Sequence, residues 1–121
     1  MYQKIDNVLA VAFTCAADTL AVGDVVEISA DNTVVKRTLA STKVVGTVAA
    51  AFGTGCTINT RFRERRDDRV AGAAVAVGPF VWDADGKAIA FASETHSVAA
   101  IAGLVIVSAS AEDDAIETLE Y

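Results

Sequence analysis

The sequence answers itself. "AVGDVVEISADNTVV" (21–35) and "AVGPFVWDADGKAI" (76–89) share one plan: Ala-Val-Gly, a short apolar run, an Asp-containing turn and a second apolar run. Further on, "TKVVGTVAAA" (42–51) is answered by "SVAAIAGLVIV" (97–107), and "CTINTRF" (56–62) by "DAIETLE" (114–120). The offset drifts from 55 (Ala21 to Ala76) to 58 (Cys56 to Asp114), so the repeat is loose. Self-similarity at a fixed spacing marks a repeat, and by length the chain reads as one domain with loose repeats over 20–62 and 75–120. Its 121 residues suffice for a single unstapled core.

The runs within each repeat have strand chemistry. "VVEIS", "TVVKRT", "CTINTRF", "PFVWD", "KAIAFA" and "AIETLEY" are short and rich in β-branched or aromatic residues, and "VGD", "ADN", "GTG" and "DADG" punctuate them as turns. "TINTRF" and "AIETLEY" alternate apolar and polar positions, the period of a half-buried strand. "TCAADTLAVG" (14–23) is too short and Gly-broken for a helix. The expectation is an all-β fold, a small barrel or sandwich of short strands with two pseudo-repeated halves. Residues 1–19 lie outside the repeat. Their "VLAVAFT" reads as a strand, either an arm that adds to a neighbour's sheet or the first strand of the chain's own barrel.

"TRFRERRDDR" (60–69) breaks the pattern. It holds half of the ten basic residues, Arg61, Arg63, Arg65, Arg66 and Arg69, against Glu64, Asp67 and Asp68. The segment is thus +2 in a chain of net charge −6, which leaves −8 elsewhere. It falls between the two repeats. Extended, it puts Arg61, Arg63 and Arg65 on one face and Phe62 and Glu64 on the other; as a helix it aligns Arg61, Arg65 and Arg69. One reading is a solvated segment laced with local Arg–carboxylate pairs. The other is a protein contact, because the arginine fork suits carboxylates and tolerates desolvation. Three interleaved acids and an acidic remainder disfavour a phosphate backbone. Arg61, Arg63, Arg65, Arg66, Arg69 and Phe62 are the candidate interface residues, toward a partner or between subunits.

No constellation for catalysis stands out. The one histidine, His96 in "ETHSVA", reads as a surface residue. Cys15 and Cys56 lack metal-ligand spacing and read as free thiols. There is no phosphate-binding loop, and "GTG" (53–55) is a turn. "DADGKAIAFASE" (83–94) places acids at positions 1, 3 and 12 of a calcium loop, but Lys87 occupies position 5 and the glycine comes at position 4, so a hairpin turning at Asp85-Gly86 fits better. Phe80 and Trp82 share a strand face and read as core, and Pro79 marks an edge strand or a strand start. No apolar run reaches the roughly 18 residues of a membrane span, and no basic, leucine-rich leader opens the sequence. The expectation is a non-enzyme without cofactor or metal.

The stretch "AVGDVVEISADNTVVKRTLASTKVVGTVAAA", with its Gly-Asp-Val-Val run, Ala-Asp-Asn turn and Lys-Val-Val-Gly run, resembles the small capsid decoration, or cement, proteins of tailed bacteriophages. "AVGPFVWDADGKAI" and "HSVAAIAGLVI" repeat the theme, so the resemblance spans about residues 20–120. It implies an all-β homotrimer on the outer surface of the head shell, made in the host cytoplasm and carried on the virion. The major capsid protein would be its partner, with no direct nucleic-acid or membrane contact. A tail-tube or head–tail connector protein, or a non-viral β-barrel binding module, is the alternative.

Overall fold

A computed structural model describes residues 9–15, 20–38 and 41–121 of the chain. It is nearly all β, as expected. In chain order the strands are β1 (Ala10–Cys15), β2 (Val25–Ala30), β3 (Thr33–Lys36), β4 (Val44–Phe52), β5 (Gly55–Thr60), β6 (Glu64–Val70), β7 (Gly78–Trp82), β8 (Ala88–Ala90), β9 (Gly103–Val107) and β10 (Ala115–Glu120). A 3-10 turn, Val98–Ala100, precedes β9.

β1 to β5 close into a barrel in the order β1-β3-β2-β4-β5. β5 returns antiparallel to β1, and the remaining seam is closed by a short parallel pairing of Thr14 with Thr33 and Cys15 with Val34. β6 to β10 form a second sheet, ordered β6-β10-β9-β7-β8. Four of the five neighbour relations are the same once β6 takes the place of β1, β7 of β2, and so on through β10 and β5. The closing seam has its counterpart too: one parallel bridge, Ala71 to Ala88, joins the end of β6 to β8. The second half is a curled version of the barrel that stops just short of closing.

This relation corrects two boundaries. Ala10–Cys15 is a barrel strand within the repeat, paired to β5 along Ala10–Thr14. The arginine-rich segment is the first strand of the second half, not a connector between halves. Ala10–Cys15 thus takes the own-barrel alternative to the arm, and the rest of that segment, residues 1–8 and 16–19, lies outside the described residues. The match is invisible along the chain because "AVAFTC" and "ERRDDRV" share a place in the fold and almost no chemistry.

The two hairpin turns show why local sequence succeeds elsewhere. Asn32 (φ 50°) between β2 and β3 and Gly86 (φ 77°) between β7 and β8 hold the same left-handed corner, which asparagine and glycine accept most readily. Asp83 fastens the second turn, its Oδ1 accepting from the amides of Asp85 (2.8 Å) and Lys87 (2.9 Å). Those bonds use the carboxylate for a hairpin, in line with the reading of "DADG". Pro79 sits at the start of β7, which runs between β8 and β9 and is not an edge.

Two clusters make the core. One fills the barrel with Val11, Phe13, Cys15, Val26, Ile28, Val34, Cys56 and Ile58, and takes in Leu104, Ile106 and Leu119 from β9 and β10. The other, Ala71, Val75, Phe80, Ala88, Val105 and Ile116, fills the curl of the second sheet. β9 is buried on both sides: Leu104 and Ile106 belong to the first cluster and Val105 to the second. Such two-sided strands read as continuous apolar runs, here "GLVIV". The halves also share hydrogen bonds at the β2–β3 turn, where Asn32 N donates to the backbone Ile106 O (2.9 Å) and Ser108 N to the side-chain Asp31 Oδ1 (3.0 Å).

Candidate interface on the arginine-rich strand

β6 runs antiparallel to β10, pairing Glu64 with Glu120, Arg65 with Leu119, Arg66 with Thr118 and Arg69 with Ile116. Between the last two pairs the register shifts, so that Asp67 and Asp68 together face the single step at Glu117. The extra residue changes which side chains share a face. Simple alternation would set Arg69 with Arg65. Instead Arg69 joins Arg66 on the face of Thr118 and Ile116, inside the curl, while Arg65 lies with Leu119 on the face toward the barrel.

Among the described residues, carboxylates of the same chain meet three of the five arginines. Arg65 pairs with Glu117 through its Nε (3.1 Å) and a short contact of its Nη2. Arg66 pairs with Glu64, Nε to Oε1 at 2.8 Å. Arg69 grips Glu120 with both prongs, Nε to Oε2 and Nη2 to Oε1, each at 2.9 Å. Thr118 Oγ1 donates a third bond to Glu120 Oε2 (2.7 Å). Burial alone would push the Glu120 carboxyl up, but the bonds from Arg69 and Thr118 and the nearby charges of Arg69 and Arg66 outweigh it and hold the group below its ordinary range. The same bond with Glu120 raises Arg69 above its ordinary value.

Arg61 and Arg63 flank Phe62 in the bend before β6. Arg61 lies over the rings of Phe62 (5.3 Å) and Tyr121 (5.5 Å), and both arginines are exposed. Arg63 N donates to Glu120 O (2.9 Å), which ties the bend to β10. Phe62, grouped with the candidate contacts on sequence, is only 2% exposed. It packs against Tyr121 with ring centres 4.9 Å apart and belongs to the barrel core. A side chain already enclosed by its own chain anchors the bend and leaves no surface for a partner.

The island is therefore not a basic patch. Glu117 and Glu120 add two negative charges to a segment of +2, giving five arginines against five carboxylates and a net charge of zero. What it offers is an exposed, charge-mixed ridge of Arg61, Arg63, Arg65, Asp67 and Asp68, with its order supplied from within. Sequence alone does not point to Glu117, Glu120 and Thr118, since they lie 51 to 52 residues beyond the arginines they serve, nor to Tyr121 beside them. One clue exists: the repeat aligns "DAIETLE" with a strand that needs a partner.

Elsewhere the chemistry is quiet. Cys15 and Cys56 are free and buried, with Cys56 Sγ donating to Phe13 O (3.7 Å). Burial, and then the neighbouring Cys15 thiol, push Cys56 up to about 12, far from the range of a nucleophile at neutral pH. His96 Nδ1 accepts from Ala92 N (3.0 Å) in an exposed loop. No cluster of three metal-ligating side chains occurs among the described residues. Comparison with protein-family models and with curated proteins gave no match.

Proposed function

We propose that this chain is a structural virion protein, a decoration protein that binds the outer surface of an assembled bacteriophage head and stabilises it. The observation that supports it most is the doubled five-strand unit. The resemblance rests on that repeat, and the repeat extends to strand order and closing seam. A protein that binds the assembled lattice better than free subunits stabilises the shell by mass action, and many symmetric copies multiply the effect.

In this reading the contact with the major capsid protein, or between copies in a homotrimer, is made by the ridge at Arg61, Arg63 and Arg65. Mixed charge favours a protein partner, whose surface can match both signs, over a phosphate backbone. The acidic remainder keeps the outward face soluble.

The test is binding to purified empty heads. A decoration protein saturates them at a fixed ratio and sediments alone as about three chains. Replacing Arg61, Arg63 and Arg65 with Ala should weaken binding more than tenfold, the loss of about 1.4 kcal/mol that truncating contact arginines commonly exceeds. A chain that ignores heads and polymerises alone is a tail-tube protein. One that stays a monomer with heads present is a binding module of another kind.

A further inference from the structure

The two halves can be compared residue by residue through their registers. β1 pairs Phe13 with Cys56 on β5, and β6 pairs Arg69 with Ile116 on β10. Arg69 therefore stands where Phe13 stands. Two residues on, Thr118 takes the place of Ile58, and after another two Glu120 takes that of Thr60. β2 pairs Ile28 with Val34, and β7 pairs Trp82 with Ala88. The seams agree, Cys15 with Val34 and Ala71 with Ala88, so Trp82 stands for Ile28.

The interiors then differ sharply at one end. The first half has Phe13, Ile28 and Ile58, all buried. The second has Arg69, Trp82 and Thr118, with Glu120 beside them. The Arg69 guanidinium lies 4.8 Å from the centre of the Trp82 ring, and Trp82 meets Phe80 edge-on at 4.9 Å. Arg69 is on β6 and Trp82 on β7, which are not neighbours in the sheet. The contact thus crosses the mouth of the curl, the span that the backbone closes with a single bridge.

We infer that the second half is held shut by a side-chain clasp, Arg69 between Glu120 and Trp82, and that its β6–β8 seam opens, before the barrel, when the clasp is released. An apolar plug has no release short of unfolding, because its cohesion does not depend on a titrating group. A clasp does: it holds only while Glu120 is charged. Among the described residues, the charged groups facing Glu120 are Arg69, Arg66 and Glu64, all on β6; on its other side β9 presents Gly103, with Phe80 of β7 beyond it, and neither ionises. A carboxyl held below its ordinary 4.5 contributes stability that is complete above that value and is lost as the pH falls through the lowered one. Release therefore comes on acidification, below about pH 4.5.

Hydrogen exchange on Glu120→Gln at neutral pH reads this directly. β6 and β8 amides should exchange roughly ten- to hundredfold faster, the range for losing hydrogen bonds to a charged group, with β1 to β5 unchanged. Equal acceleration in both halves, or none, overturns the clasp. Trp82 is the only tryptophan and gives a second reading without mutation. In the native chain its emission should shift to the red below pH 4.5 while barrel amides stay protected; a shift only on global unfolding overturns the proposal. The variant carrying Arg69→Phe, Thr118→Ile and Glu120→Thr transplants the first half's residues. It should keep β6 and β8 protected and lose the acid shift, and an unaltered acid shift in that variant would place the response elsewhere.

Discussion

Gly46 and Gly103 hold the same place in the two halves. Gly46 on β4 lies between Val26 and Thr60, and Gly103 on β9 between Phe80 and Glu120. At each, a Cβ would fall on a backbone carbonyl oxygen of the facing strand, that of Asn59 or of Leu119. The strong bend that curls each sheet requires this close approach, and only a residue without a side chain permits it.

Gly46→Ala and Gly103→Ala should each cost about 1–3 kcal/mol, the usual penalty for overpacking, because the obstacle is backbone and cannot rotate away. Urea unfolding measures the loss. Gly23→Ala gives the contrast: its Cβ meets nothing within 4 Å, so its cost is confined to the strain of a φ of 93°.

Asn32 adopts a left-handed φ of 50° and its side-chain Oδ1 is buried without a partner. Asn32→Gly should be neutral or stabilising, since it relieves both. Asn32→Val should lose about 1–2 kcal/mol or more from the left-handed strain. Thermal melts of the pair separate backbone strain from the cross-half bonds, which both variants retain.

The two thiols should be silent toward a disulfide reagent at pH 8 and react only as fast as the protein unfolds, because both are nearly inaccessible. Cys56 also sets a direction with pH. A thiol that ionises near 9 when unfolded and near 12 when folded contributes stability that is complete below about 9 and falls away toward 12. Cys56→Ala should flatten that decline in a denaturation series from pH 8 to 11.

Deleting residues 1–12 removes Ala10, Val11 and Ala12 from β1 and opens the barrel. Circular dichroism should show loss of cooperative unfolding, not a folded domain with weakened binding. A native-like melt in this truncation would mean that β5 and β3 hold without β1, and would return the segment to the role of an arm.

Much of this architecture is legible in the order of the residues. β2, β3, β5, β7, β8 and β10 follow from β-branched and aromatic runs and from turn residues such as Asp31-Asn32 and Asp85-Gly86, since strand chemistry and turn geometry act over a few residues; β4 and β9 are visible beforehand only as matching segments of the repeat. The aromatic pair on β7 is half legible: Phe80 is fully enclosed, whereas Trp82, on the same face, remains 38% exposed because it lies at the mouth of the curl.

What the sequence determined by itself is the all-β class, most of the strands, the turns between β2 and β3 and between β7 and β8, and the doubling of the unit. The tertiary structure alone decided that "ERRDDRV" is the counterpart of "AVAFTC", that Glu117 and Glu120 neutralise the arginines, and that Phe62 is core. These depend on which distant strands pair and in what register, and the extra residue at Asp67–Asp68 resets that register locally. No spacing along the chain encodes a partner more than fifty residues away, because the field of a charged side chain acts on whatever the fold brings to it.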